Sequence, residues 1–195
     1  MYAYLSGDLT FKSPALVYLD VNGVGYEVNI SLHTWSAIQH MEKVKLYTWF
    51  QVKEDAHQLF GFYEPVEKEM FQMLTSVSGV GAATARMMLS YIRPDEVSSA
   101  ISSGNVRLLE GVKGIGKKTA ERLVLELRDK VNKGGSAIRE VNHTAHNSLE
   151  ADALNALTAL GINRAQAEQS VKKARAADPE ISQLEDLIKK ALKAI

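Results

Sequence analysis

Apolar and polar positions follow two different periods along this chain, and the change falls at Pro65. Before it, short runs rich in Val, Tyr, Leu and Phe are separated by turn residues, the pattern of β-strands. It predicts strands over 2–11, 15–21, 24–31, 44–53 and 57–63. Asn22-Gly23 between two apolar runs is a hairpin signal, because both residues tolerate the positive φ of a tight primed turn. Five short strands in 63 residues suggest a small OB-type barrel. An SH3-like barrel fits the same pattern.

After Pro65 the period becomes helical. Residues 66–131 read as helices broken at Gly79–Gly81, Arg93-Pro94, Ser103-Gly104 and Gly111–Gly116. The stretch from Asn132 to Asn147 loses apolar periodicity and carries Gly134-Gly135-Ser136, so a linker is expected at 134–147. From 148 to 195 the helical period returns. Leu149, Ala153, Leu154, Leu157 and Leu160 share one face, Gly161 is placed to stop that helix, and Asn163/Gln166 and Ser182/Glu185 look like capping boxes. The expected fold is therefore α+β and multidomain. A five-stranded barrel (1–63) precedes an all-α domain (64–133), a linker (134–147) and a three-helix, UBA-like module (148–195).

Within the all-α domain the sequence repeats itself at an offset of 35 residues. Leu74, Val77, Gly79, Val80, Gly81, Thr84, Ala85 and Met88 correspond to Leu109, Val112, Gly114, Ile115, Gly116, Thr119, Ala120 and Leu123. Each copy reads as helix, Gly-apolar-Gly turn, helix, and a repeated supersecondary unit constrains the fold before any motif is considered. The glycines permit positive φ and close backbone approach. Val80 and Ile115 are expected to point inward and pin the turns. The second helix of each copy then starts with unpaired N–H groups at the positive end of its dipole, an arrangement that holds a phosphate. Phosphate contacts carry no sequence information, so binding is expected to be independent of sequence. Candidate phosphate-binding residues are Ser78, Gly79, Val80, Gly81, Ala82, Ala83 and Thr84 in the first copy. In the second they are Gly114, Ile115, Gly116, Lys117, Lys118, Thr119 and Arg122.

Charge sharpens this picture. The formal net charge is zero, yet residues 107–133 hold eight Lys/Arg against four acids, and residues 1–63 hold four lysines against six acids. A neutral total assembled from a basic and an acidic block can bind and steer a polyanion. There are no cysteines, no apolar run long enough for a membrane span and no signal-peptide pattern, so a cytoplasmic protein without disulfides or membrane contact is expected.

Other chemistries fit less well. Gly111–Thr119 nearly spells a P-loop, but Lys118 stands where a Ser or Thr hydroxyl must hold Mg²⁺, and a helix is expected where a strand should precede. Glu54-Asp55, between the last two strands, is either a polar hairpin tip or a pair of carboxylates that repels phosphates. Metal-dependent cleavage would need more carboxylates converging there than the sequence offers. His57 reads as a strand residue. His143 and His146 lack a third metal ligand. Met70, Met73, Met87 and Met88 read as core fillers, and Trp35 and Trp49 as barrel core or rim. A stacking platform would need more exposed aromatic residues than 7% readily supplies. No cofactor or metal is expected.

Together these residues resemble one family. A small barrel with Asn22-Gly-Val-Gly-Tyr26 precedes Glu54-Asp55-Ala56 and Leu59-Phe60-Gly61-Phe62. Gly79-Val-Gly81 and Gly114-Ile-Gly-Lys-Lys-Thr-Ala-Glu-Arg122 follow, a pattern similar to the RuvA family across the whole chain. The resemblance implies a non-catalytic subunit for four-way (Holliday) junction DNA in recombinational repair and the SOS response to DNA damage. It further implies a homotetramer, or an octamer of two tetramers on DNA, that holds the junction open and planar. It makes Glu54 and Asp55 an acidic pin at the junction's centre. It assigns 148–195 to binding RuvB, the hexameric ATPase that drives branch migration, and names the RuvC endonuclease as a further partner. The family often has Pro-Lys after the first Gly-Val-Gly. Here Ala82-Ala83 replaces it, which removes a lysine contact and leaves Ser78 and Thr84 to supply neutral hydrogen bonds.

Overall fold

The computed structural model describes residues 2–54, 56–138, 149–178 and 181–194. Two compact units divide the chain, Met1–Val141 and Asn142–Ile195.

The first unit begins with five strands: β1 (Tyr4–Ser13), β2 (Leu16–Val21), β3 (Val24–Asn29), β4 (Lys43–Val52) and β5 (His57–Phe62). They close into a barrel in the order β1-β2-β3-β5-β4. A parallel pairing of Asn29 with Phe60 joins β3 to β5, and the antiparallel β1–β4 ladder completes the circuit. This order, with a helix between β3 and β4, selects the OB-type barrel over the SH3-like one. The Asn22-Gly23 turn forms as expected, with φ of 52° and 87°.

That intervening helix, α1 (Leu32–Ile38), is absent from the strand pattern described above. Ser31 caps it by accepting from the Thr34 N–H at 3.0 Å. Its seven residues are too few to show a helical period, so only the capping residue signals it.

Helices α2 (Pro65–Thr75), α3 (Ala82–Tyr91), α4 (Pro94–Ser103), α5 (Val106–Glu110) and α6 (Lys117–Ile138) follow. The breaks fall at the expected glycines and proline. α6, however, continues to Ile138, into the stretch expected to be linker. Its Gly134-Gly135 pair weakens a helix without a steric bar to it, unlike a proline.

The strand β5 ties barrel and helices together by alternation. Leu59 packs in the barrel core with Val17, Leu19, Val28, Ile38 and Leu46. Phe60 and Phe62 join the helical core with Phe71, Leu74 and Met88. Trp49 of β4 extends that cluster, its ring centroid 5.3 Å from Phe71. Fully buried side chains of this size contribute roughly 1.5–3 kcal/mol each. Met87 is exposed, unlike the other methionines expected in the core, because it lies on the outer face of α3.

A polar contact reinforces the same junction. Glu67, in the first turn of α2, is buried; its carboxylate accepts from the Ser31 hydroxyl and from Thr34 Oγ1 at 2.5 Å. Thr34 Oγ1 in turn accepts from the Tyr63 N–H at 3.0 Å. Burial pushes the Glu67 carboxyl above its ordinary value, against the two hydroxyl hydrogen bonds and His33, which lower it.

In the second unit, α7 (Leu149–Ala159), α8 (Arg164–Ala177) and α9 (Leu184–Lys193) enclose a core of Ala153, Leu157, Ala167, Val171, Ala174, Leu187 and Ala191. Gly161 has the positive φ, 89°, expected past a helix end. Three details differ from the sequence pattern. Leu160 is exposed, because α7 ends before completing the turn that would bury it. Asn163 caps α8 through the Ala165 N–H at 3.0 Å instead of forming a box with Gln166. α9 begins after Gln183, which makes no side-chain cap, so Ser182 lies one residue too early.

Candidate nucleic-acid interface

The two glycine turns have nearly the same geometry. Gly79 and Gly114 sit at φ 93° and 94°. The N–H of Val80 donates to Val77 O, and that of Ile115 to Val112 O, both at 3.0 Å. Val80 and Ile115 are buried, as are all the repeat's other apolar pairs, so one core serves both copies. The flanking glycines Gly79, Gly81, Gly114 and Gly116 stay exposed. Side chains thus point in and backbone points out.

The first i−4 hydrogen bond of α3 runs from Ala85 N–H to Gly81 O at 2.9 Å, and that of α6 from Ala120 N–H to Gly116 O at 3.0 Å. Ahead of these bonds the Thr119 N–H also donates to Gly116 O, at 2.9 Å, and the remaining first-turn amides lack an i−4 acceptor. No side chain caps α3 at Gly81. Ala82 is buried and offers only its backbone, while Ser78 and Ala83 are exposed and Thr84 half-buried. At the second turn Lys113, Lys117, Lys118 and Arg122 are all exposed and Thr119 is half-buried. Cations in the first turn oppose the helix dipole and are better accommodated when an anion arrives there. The first copy carries no cation between Ser78 and Thr84, so the hairpins match in backbone and differ in charge.

They also face each other. A Cβ built on Gly79 would lie 3.8 Å from Thr119 Oγ1, and one built on Gly114 would lie 3.9 Å from Thr84 Cγ2. Each turn is therefore packed against the threonine of the other copy's helix. Arg122 crosses the same seam, and its guanidinium also lies 3.8 Å from Glu126.

The barrel fixes where this pair sits. Arg86 of α3 donates to Asn29 Oδ1 at 2.7 Å and to Ala15 O at 3.1 Å. Ser90 Oγ accepts from the Leu32 N–H at 3.0 Å. Sequence reasoning missed Arg86, whose role depends on a contact 57 residues away.

Glu54 is exposed in the β4–β5 loop, which Lys53 N–H closes onto Ala56 O at 2.9 Å. Asp55, His143 and His146 lie outside the described residues. Among the described residues no group of three His, Asp or Glu could hold a metal, and no helix is long and apolar enough to cross a membrane. The near-P-loop at Gly111 follows helix α5, not a strand.

Barrel, paired turns and exposed amides define a tandem helix-hairpin-helix protein carried on an OB-type barrel. Comparison with known proteins agrees: the RuvA N terminal domain matches residues 1–61, a SAM-like helix-hairpin-helix tandem matches 71–129, and the RuvA C-terminal domain matches 148–195. The Holliday junction branch migration complex subunit RuvA of Christiangramia forsetii is 50% identical over the full length of both chains. Proteins of the same description from Cytophaga hutchinsonii and Flavobacterium psychrophilum are 45% and 46% identical, each over 99% of both chains. The chain belongs to the RuvA family.

Proposed function

We propose that this chain binds four-way junction DNA through its phosphate backbone, as the non-catalytic subunit of a branch-migration complex. The observation that carries the reading is the pair of reciprocally packed hairpins, whose outward amides and exposed Lys113, Lys117 and Lys118 form one anion-binding surface. Residues 78–84 and 114–119, with Arg122, contact phosphates along a duplex arm. Four copies, or eight in two tetramers, match the junction's four arms and hold it open and planar. Glu54 and Asp55 then stand at the crossover, where their charge repels phosphates.

The energy for migration comes from elsewhere. The near-P-loop at Gly111 lacks the strand and hydroxyl that nucleotide hydrolysis needs. The relatives' description as a complex subunit supports a separate motor. In this reading residues 148–195 recruit the RuvB ATPase, RuvC resolves the product, and the complex works in the cytoplasm in recombinational repair.

Native mass measurement of the chain with a synthetic four-way junction tests the assembly. Four or eight copies per junction are expected, and one or two would contradict it. Turnover of ATP or DNA by the purified chain alone would contradict the non-catalytic role.

A further inference from the structure

Four rings meet at the end of the barrel that carries the β4–β5 loop. Tyr2 stands 6.2 Å from Tyr26 and 5.7 Å from Phe50, centroid to centroid, and Phe50 lies 5.5 Å from His57. Strand direction explains the gathering. β1 and β3 begin at this mouth, β4 ends there, and Val52–His57 is the last pair before the loop bearing Glu54. Tyr26 and Phe50 pack against the barrel core, and Tyr2 and His57 extend the aromatic surface towards solvent. The rim stays open: Val52 is 63% exposed, Val24 54% and Tyr2 45%.

We propose that this mouth stacks an unpaired nucleobase from the centre of the junction, an inference that rests on junction binding by the hairpins. OB-type barrels take single strands on their β2–β3 face and the loop between β4 and β5; Tyr26 lies in β3, and His57 opens β5 directly after that loop. Rings accept any base, because every base has a π-face, so stacking adds no sequence preference. The exposed Glu54 carboxylate sets the polarity of the site. It disfavours a phosphate and leaves an uncharged base free to approach. One end of the barrel thus repels backbones and receives the bases that strand separation releases. The low overall aromatic content concealed this, since convergence in space, not abundance, makes a platform.

The test uses the full chain and two junctions, one fully paired and one with two unpaired thymines at the crossover. The wild-type chain is expected to bind the pre-opened junction roughly tenfold more tightly, the size of one base–ring stack. Tyr2→Ala with His57→Ala should erase that preference and leave binding to the paired junction unchanged, and Tyr2→Phe should keep it. Independently, 5-iododeoxyuridine at the crossover should photo-cross-link the wild-type chain at Tyr2 or His57, and the same base placed mid-arm should not. A preference unchanged in the double variant, or a bound junction with no such cross-link, overturns the stacking. So does protection of this rim by a second copy in the DNA-free protein. Failure of the wild-type chain to bind either junction overturns the junction reading itself.

Discussion

Arg122, in the second turn of α6, donates from its guanidinium to the main-chain carbonyl of Ser78 at 3.2 Å, so the second hairpin's helix holds the first hairpin's turn. A residue expected only to meet phosphate thus also ties the two hairpins together. Arg122→Ala is expected to lower stability by about 1 kcal/mol, because one hydrogen bond to an exposed carbonyl is lost. It should weaken junction binding more than Lys118→Ala does, since it removes a charge and loosens the pair. Equal losses in a titration of both variants would confine Arg122 to a simple ionic contact.

The glycines set a separate requirement. At Gly79 and Gly114 the nearest atoms to an added Cβ are at 3.8–4.0 Å, so space is sufficient and the obstacle is the positive φ. Gly114→Ala should therefore cost about 1–2 kcal/mol by chemical denaturation. An unchanged midpoint would show that the turn relaxes freely.

Lys117→Glu with Lys118→Glu should weaken binding to junctions of any sequence alike. The salt dependence should flatten by roughly 0.9 in log–log slope for each phosphate contact removed. Losses confined to particular sequences would point to base readout instead.

Neutralising the loop acts in the opposite direction. Glu54→Gln with Asp55→Asn removes charge that repels phosphate, so junction affinity should hold or rise. Clearly weaker binding would make the pair structural.

Glu67 gives a pH signature. Its carboxyl is raised above the ordinary value by burial, so the folded chain keeps a proton that the unfolded chain has released. The stability this residue contributes is greatest below about pH 4.5 and declines as pH rises through the raised value. Glu67→Gln cannot titrate, yet still offers an acceptor and a donor to Ser31 and Thr34. Its stability relative to wild type should increase between pH 4.5 and 7.5, followed by denaturant midpoints. A constant difference would remove the link between proton and latch.

Local signals carried much of this architecture. The Gly-apolar-Gly turns, Asn22-Gly23 and Pro94 each act within a few residues, so periodicity and turn chemistry located strands, hairpins and helix starts. Helix α1 escaped because Ser31 is its single clear marker in so short a segment. Arg86 and Glu67 escaped for a different reason: a surface-type residue becomes a half-buried or buried tie only when a distant element closes over it. At the barrel mouth Tyr2 meets Tyr26 and Phe50, which lie 24 and 48 residues further along the chain, and strand pairing brings them together.

The central claim is that paired backbone amides grip the arms of a four-way junction, and one comparison tests it most directly. The full chain is titrated with a four-way junction and with linear duplex of the same sequence across a range of salt. Tighter binding to the junction is expected at every salt concentration, with affinity for both falling linearly on a log–log plot. Equal affinity for the two DNAs, or binding indifferent to salt, would contradict it.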